Sequence, residues 1–180
     1  MRHNGFLIVL HWLMLLLVIA AFALGSVREA VEDAELRVLL IDLHRTIGLT
    51  LLGLTIIRIA ARLIVEPRFT PVRLSLPMRL AGSAAHGLLY GLMIAMPLVG
   101  WAQSSAKAHK FKLFGKVMPA LIGYDPDKAD LLAERHEQLA WLFLALIAFH
   151  SLAALYHHYV RRNEIMVAMF GRRVAGPSER

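Results

Sequence analysis

The sequence predicts an all-α integral membrane protein, a four-helix bundle with both termini cytoplasmic, and three observations carry that prediction. Of its 180 residues 58% are hydrophobic and the mean hydropathy is +0.57, more apolar surface than a soluble domain of this length could cover. The apolar residues fall in four blocks of roughly 20, the length at which a helix crosses a hydrocarbon core of about 30 Å. Most lysines and arginines sit between the blocks rather than inside them, as membrane topology requires. One membrane domain over 1–180 accounts for the whole chain.

The first span is Phe6–Leu24. It is long enough to cross, and no small-residue cleavage site follows it, so the expectation is a retained helix rather than a signal peptide. The second runs from about Val38 to Val65, with His44 near its start and Arg58 and Arg62 near its end. The third, Leu80–Ala102, contains His86 and closes on Pro97-Leu-Val-Gly100-Trp101. The fourth is His136–Val160. The Arg68–Pro77 linker, with Pro71 and Pro77, reads as an irregular cytoplasmic loop. The 103–135 connection is broken by Gly115, Pro119, Gly123 and Pro126 and is expected to lie on the outer surface as short amphipathic or irregular pieces.

Orientation follows from Lys and Arg in the connections. One side collects ten, Arg2, Arg62, Arg68, Arg73, Arg79, Arg161, Arg162, Arg172, Arg173 and Arg180; the other holds eight, set against nine acids. An even number of spans puts both termini on one side, and the Arg161, Arg162, Arg172, Arg173 tail assigns that side to the cytoplasm. The net charge of +7 would suggest nucleic acid in a soluble protein. Here it serves topology, and no nucleic-acid partner is expected. The absence of cysteine excludes disulfides, iron–sulfur clusters, thiolate zinc sites and the C-x-x-C-H attachment of c-type haem.

An ionisable residue inside a span is costly and points to a functional site. Five histidines qualify by depth: His11, His44, His86, His136 and His150. An interhelical hydrogen bond would explain any one of them, but their arrangement says more. His136 and His150 are 14 residues apart on one span, about 21 Å along the axis and about 40° short of the same azimuth. That suits two haems, one near each membrane surface. Depth supplies the second ligands: His11 matches His150 near the inner surface, and His44 matches His136 near the outer. Gly48 and Gly53 would let a porphyrin approach α-helical backbone, although helix packing explains them equally. Bis-histidine ligation without cysteine implies non-covalent haem b that transfers electrons and leaves no site open for oxygen. Asp42 and Arg45 flank His44 and could pair with each other or with propionates. Hard or borderline cation sites recruit carboxylates, and only Asp42 and Glu137 approach the spans, so a metal-ion transporter is the weaker reading.

The order of these elements resembles the bacterial cytochrome b561 family. The likeness rests on His11-Trp12 in the first span, His44 opening the second, and His86 with Pro97-Leu-Val-Gly100 in the third. It continues with His136-Glu-Gln-Leu-Ala140, His150 and His157-His158-Tyr159 in the fourth. The resemblance covers essentially the whole chain and supports the same haem pairs, His11 with His150 and His44 with His136. It implies a multi-pass protein of the bacterial inner membrane. Superoxide would give its electron on the periplasmic side and ubiquinone would accept electrons through the haems. It also implies a quinone contact for His157, which lies within about 20° of the face of His150 and about 10 Å nearer the cytoplasm.

Two readings of function compete. In the first the chain is a superoxide:ubiquinone oxidoreductase working alone among membrane lipid. In the second it is a haem-bearing anchor that relays electrons between quinone and a docked periplasmic enzyme, its partner a redox subunit or a further copy of the chain. The outer connection carries Lys107, His109, Lys110, Lys112 and Lys116, with Phe111 and Phe114 between them. Such a loop can lie on headgroups with its phenylalanines in the interface. For a small anion such as superoxide, Lys110, Lys112 and Lys116 would instead supply long-range steering.

Overall fold

The computed structural model describes residues 5–64 and 75–162. Four helices follow one another: α1 (Gly5–Ala30), α2 (Ala34–Ile64), α3 (Leu76–Ala106) and α4 (Pro126–Tyr159). All four are long and apolar enough to cross a membrane. Each exceeds the predicted span at one or both ends, and α4 by the most, starting ten residues earlier, at Pro126. Asp125 sets that start. Its carboxylate accepts from the Lys128 amide at 3.0 Å, and Pro126 occupies the first turn, where its missing N–H costs nothing. The hydrogen bond from Lys128 holds the Asp125 carboxyl below the usual carboxylate range, so the cap stays ionised at the positive end of the helix dipole.

The helices alternate in direction, giving the bundle two ends. The hairpin end holds the α1–α2 connection at 31–33 and the 107–125 segment; the tail end holds the start of α1, the end of α2, the start of α3 and the end of α4. The first connection turns sharply because Asp33 Oδ1 accepts from the Leu36 amide at 2.7 Å and Arg37 Nε donates to the Val31 carbonyl at 3.1 Å. Most of the Arg68–Pro77 linker, and the tail residues Arg172 and Arg173, lie outside the described residues.

Neighbours pack in sequence, α1 on α2, α2 on α3 and α3 on α4. Phe22 of α1 meets Trp141 of α4 edge-on at 5.7 Å, closing the ring. The buried core is small, Leu10 and Met14 of α1 with Leu51 of α2, and Leu54 and Met93 against it. Long side chains such as Val9, Leu16, Ile56 and Phe149 face outward, as lipid as solvent allows. Hydroxyls inside the helices bond back one turn, Thr50 to the Thr46 carbonyl at 2.8 Å and Thr55 to the Leu51 carbonyl at 2.7 Å, so these two are not left bare in the apolar interior.

The 107–125 segment is more ordered than its composition suggests. β1 (Lys112–Leu113) and β2 (Lys116–Val117) pair antiparallel through a two-residue turn with positive φ at Phe114 (48°) and Gly115 (81°), the pattern of a type I′ hairpin. The segment is sewn to the end of α3: Trp101 Nε1 donates to the Pro119 carbonyl at 3.0 Å and the Leu121 amide to Ser105 Oγ at 3.0 Å. Phe111, expected at the membrane interface, is instead 5% exposed, with the Arg45 guanidinium 5.7 Å from its ring centre. Phe114 stays 80% exposed at the tip.

Candidate functional site

The histidines of the spans form two groups, one towards each end; His11, His44, His136 and His150 are half-buried and His86 is exposed. At the hairpin end His44 of α2 and His136 of α4 stand with ring centres 6.0 Å apart, inclined at 72°. His44 Nδ1 lies 2.7 Å from the Ala21 carbonyl. A carbonyl only accepts, so Nδ1 carries the proton and Nε2 presents its lone pair. Such a bond fixes the tautomer and orientation of a metal-binding imidazole. His136 Nδ1 is buried without a hydrogen-bond partner among the described residues.

Glycine makes room for both rings. A Cβ on Gly25 would stand 3.3 Å from His44 Cε1 and Nδ1, and one on Gly100 would stand 3.2 Å from His136 Cε1. Each imidazole therefore lies directly on the backbone of a neighbouring helix, α1 for His44 and α3 for His136. By contrast, a Cβ on Gly48 or Gly53 would meet nothing within 4 Å. From sequence, Gly48 and Gly53 are the glycines assigned this role, Gly100 figures only within the Pro97-Leu-Val-Gly100 segment and Gly25 is passed over; the signal for both was a glycine at the depth of a histidine on another span.

The donor set fits haem. His44 and His136, facing each other from α2 and α4, would hold the iron of one haem through their ring nitrogens. The tautomer of His44 leaves the required nitrogen free. Around this pair the charges are tied. Arg45 bonds Asp42 at 2.9 Å and Ser104 Oγ at 3.2 Å, so Asp42 and Arg45 pair with each other. Arg28 stands 3.8 Å from Glu29.

At the tail end the rings of His86 and His150 are 5.3 Å apart, inclined at 67°. His11 is near enough to act electrostatically on this pair and on Arg58, and its ring meets Trp12 edge-on at 5.6 Å. The sequence pairing set His11 with His150 and put His86 outside both pairs, as a contact of the inner haem's edge, the quinone or a neighbouring helix; in the structure the His86 ring is the one beside His150. Arg58 reaches between helices, its Nε donating to Tyr90 Oη at 3.1 Å and its Nη1 to the Leu7 carbonyl at 3.0 Å. His157 is half-buried in the last turn of α4, its ring 5.9 Å from that of Tyr156. Among the described residues no group of three histidines or carboxylates could cage a metal ion. Lys110, Lys112 and Lys116 are all exposed on the hairpin segment, with Lys112 opposite Val117 and Lys116 opposite Leu113.

Comparison with known proteins gives this geometry a family. The profile of prokaryotic cytochrome b561 matches residues 2–172. The chain is 31% identical over 166 residues to cytochrome b561 homolog 2 of Escherichia coli K12, covering 90% of this chain and 87% of that protein. It is 32% identical over 161 residues to the probable superoxide oxidase CybB of Yersinia pestis, covering 89% and 90%. A cytochrome b562 of Cereibacter sphaeroides is 26% identical over 170 residues, 90% of each chain. Four apolar helices with histidines grouped towards each end, matched along nearly their full length, make this chain a member of the prokaryotic cytochrome b561 family, multi-pass electron-transfer proteins of the bacterial inner membrane that carry haem b.

Proposed function

We propose that the chain is a superoxide:ubiquinone oxidoreductase holding two b haems, one between His44 and His136 and one between His11 and His150. The hairpin end faces the periplasm. The observation that carries the reading is the separation of the histidines into two groups at opposite ends of one bundle, with His44 already oriented by the Ala21 carbonyl. Haem b, when bound, supplies a one-electron carrier at each end. In balance, two superoxide ions each lose one electron to become dioxygen, and one ubiquinone takes two electrons and two protons to become ubiquinol.

The chain's own residues divide that work. His44 and His136 face each other at the donor end, and burial of the pair keeps water from the transfer path. The exposed Lys110, Lys112 and Lys116 gather positive charge at the same end, where an anion with little binding surface must be captured by long-range attraction. At the other end His157 lies seven residues beyond His150 on nearly the same face, where it can donate a hydrogen bond to a quinone carbonyl. The likeness to a probable superoxide oxidase supports superoxide as donor. The test is direct: purified protein mixed with a superoxide source and a short-chain ubiquinone should form ubiquinol at two superoxides per quinone, and a red protein that forms none sinks the reading. The exposed Phe114 beside the lysines favours a second function, a relay docked to a periplasmic enzyme, which copurification of a partner in mild detergent would reveal.

Two variants probe the ends separately. Neutralising Lys110, Lys112 and Lys116 together is expected to lower the second-order rate with superoxide by about tenfold, within the range such fields produce, and to flatten its dependence on ionic strength. Haem content should be unchanged; a variant with the parental rate and salt slope removes the hairpin from capture. His157→Ala is expected to keep both haems and slow quinone reduction by about tenfold, the size of one lost hydrogen bond. Unaltered kinetics of reoxidation by ubiquinone would take His157 out of the site.

A further inference from the structure

Fixed charge is distributed unequally between the two histidine groups. Every carboxylate among the described residues lies at the hairpin end: Glu29, Glu32, Asp33 and Glu35 around the first connection, Asp42 early in α2, and Asp125 to Glu137 at the start of α4. The cations near His44 are accordingly compensated, Arg45 by Asp42 at 2.9 Å and Arg28 by Glu29 at 3.8 Å. At the tail end the described residues offer Arg58, Arg62, Arg79, Arg161 and Arg162 and no acid.

Arg58 is the one that faces the interior. It follows His44 by 14 residues on α2, the same interval that separates His136 from His150 on α4. Both intervals end about 21 Å further along the axis on nearly the same face. Arg58 thus stands on α2 where a second ligand stands on α4. Its bonds fix it there, to Tyr90 Oη, one turn after His86, and to the Leu7 carbonyl, one turn before His11. Both partners are neutral, so the guanidinium keeps its full charge. It stands near enough to act on His11 and, together with the exposed Arg62, on His86. Topology alone would be served by an arginine reaching out to the headgroups; Arg58 is half-buried and bonded inward across three helices.

We propose that Arg58 is a positioning residue for electron flow: its charge, which meets no carboxylate among the described residues, raises the reduction potential of the haem at the tail end, while carboxylates at the hairpin end leave the other haem lower. This rests on the two-haem reading above. A reduced haem carries one positive charge fewer than an oxidised one, so a fixed cation favours the reduced form. A unit charge on the order of 10 Å away, at an effective dielectric near 20, changes a one-electron equilibrium roughly tenfold, equivalent to about 59 mV. The gradient draws each electron from the hairpin end to the tail end, against the membrane potential that opposes negative charge moving inward.

Potentiometric titration of the purified dihaem protein tests this. The parent should show two waves. Arg58→Gln is expected to lower the higher wave by about tenfold in partition and leave the lower one within threefold, while Arg58→Lys, which keeps the charge, stays within threefold of the parent in both. Should Arg58→Gln fail to yield folded protein, Arg62→Glu places a carboxylate one turn away at an exposed position, and the same wave should fall. Two haems with both waves unmoved in Arg58→Gln, or in Arg62→Glu in its place, overturn the inference and leave the two-haem reading standing. A parent with fewer than two haems per chain by pyridine haemochrome overturns that reading itself.

Discussion

Replacing His44 or His136 with alanine is expected to halve the haem content, from two per chain to one, without unfolding the bundle. Both rings are half-buried between helices and bond no charged group. Their removal costs packing rather than an ion pair, and α1–α2 and α3–α4 contacts survive it. The two variants should be indistinguishable in content because each ligand is useless to a low-spin centre without the other. His150→Ala is expected to remove the second haem and keep the first. At that end the companion variants carry more information. His11→Ala should reproduce the loss, whereas His86→Ala should keep both haems, if His11 supplies the opposite ligand as its depth implies. The reverse result would transfer the ligand role to His86, whose ring is the one 5.3 Å from His150. Pyridine haemochrome per chain and the α-band spectrum read all five variants. Any of His44→Ala, His136→Ala or His150→Ala retaining both haems with an unchanged spectrum would break the corresponding pair.

The difference between the two ends traces to what a sequence can express. Depth in the membrane is a one-dimensional quantity, and residue counting from a span's edge placed His44 level with His136 across two helices. Azimuth depends on how each helix is rotated against its neighbours, which is set by packing. For α3 that rotation turns His86 towards His150, and no periodicity in so uniformly apolar a helix announces it. The spans themselves were legible because about 20 apolar residues in a row have few alternatives. The early start of α4 was not, since residues 126–135 are polar and carry no hydropathy signal. Its cap, Asp125-Pro126, is a recognisable helix start and was the clue available. The hairpin was hidden for a different reason: its turn puts phenylalanine, not asparagine or aspartate, at a positive φ, against the usual signature. Arg58 was visible only as one arginine among several near a surface. Its bonds to Leu7 and Tyr90 join residues far apart in the chain, and only the packed helices bring them together.

Gly100→Val is expected to eliminate the hairpin-end haem as completely as His136→Ala, although it removes no ligand. Even the first added carbon would stand 3.2 Å from His136 Cε1 and 3.4 Å from Nδ1, closer than van der Waals contact, and the two γ-methyls of valine reach further. The contact falls on the flat side chain of a residue anchored in α4, so relief must come from His136 swinging to another rotamer or from α3 and α4 separating. Movement straight away from α3 is limited by His44, whose ring centre is only 6.0 Å away. Overpacking of this kind costs about 1–3 kcal/mol, and it is spent on the geometry that axial ligation needs rather than on lipid-facing surface. Gly100→Ala, needing a shift of only a few tenths of an ångström, should keep both haems and displace the hairpin-end signal in the low-temperature α-band. Gly25→Val should act on the same haem from the other side, by pressing on His44 and loosening its bond to the Ala21 carbonyl. Gly82→Ala, where a Cβ meets nothing within 4 Å, serves as the control for glycine replacement in α3. A Gly100→Val protein with two haems and a parental spectrum would show that His136 can leave its seat on α3 without consequence, and His136 would then lose its claim to be a ligand.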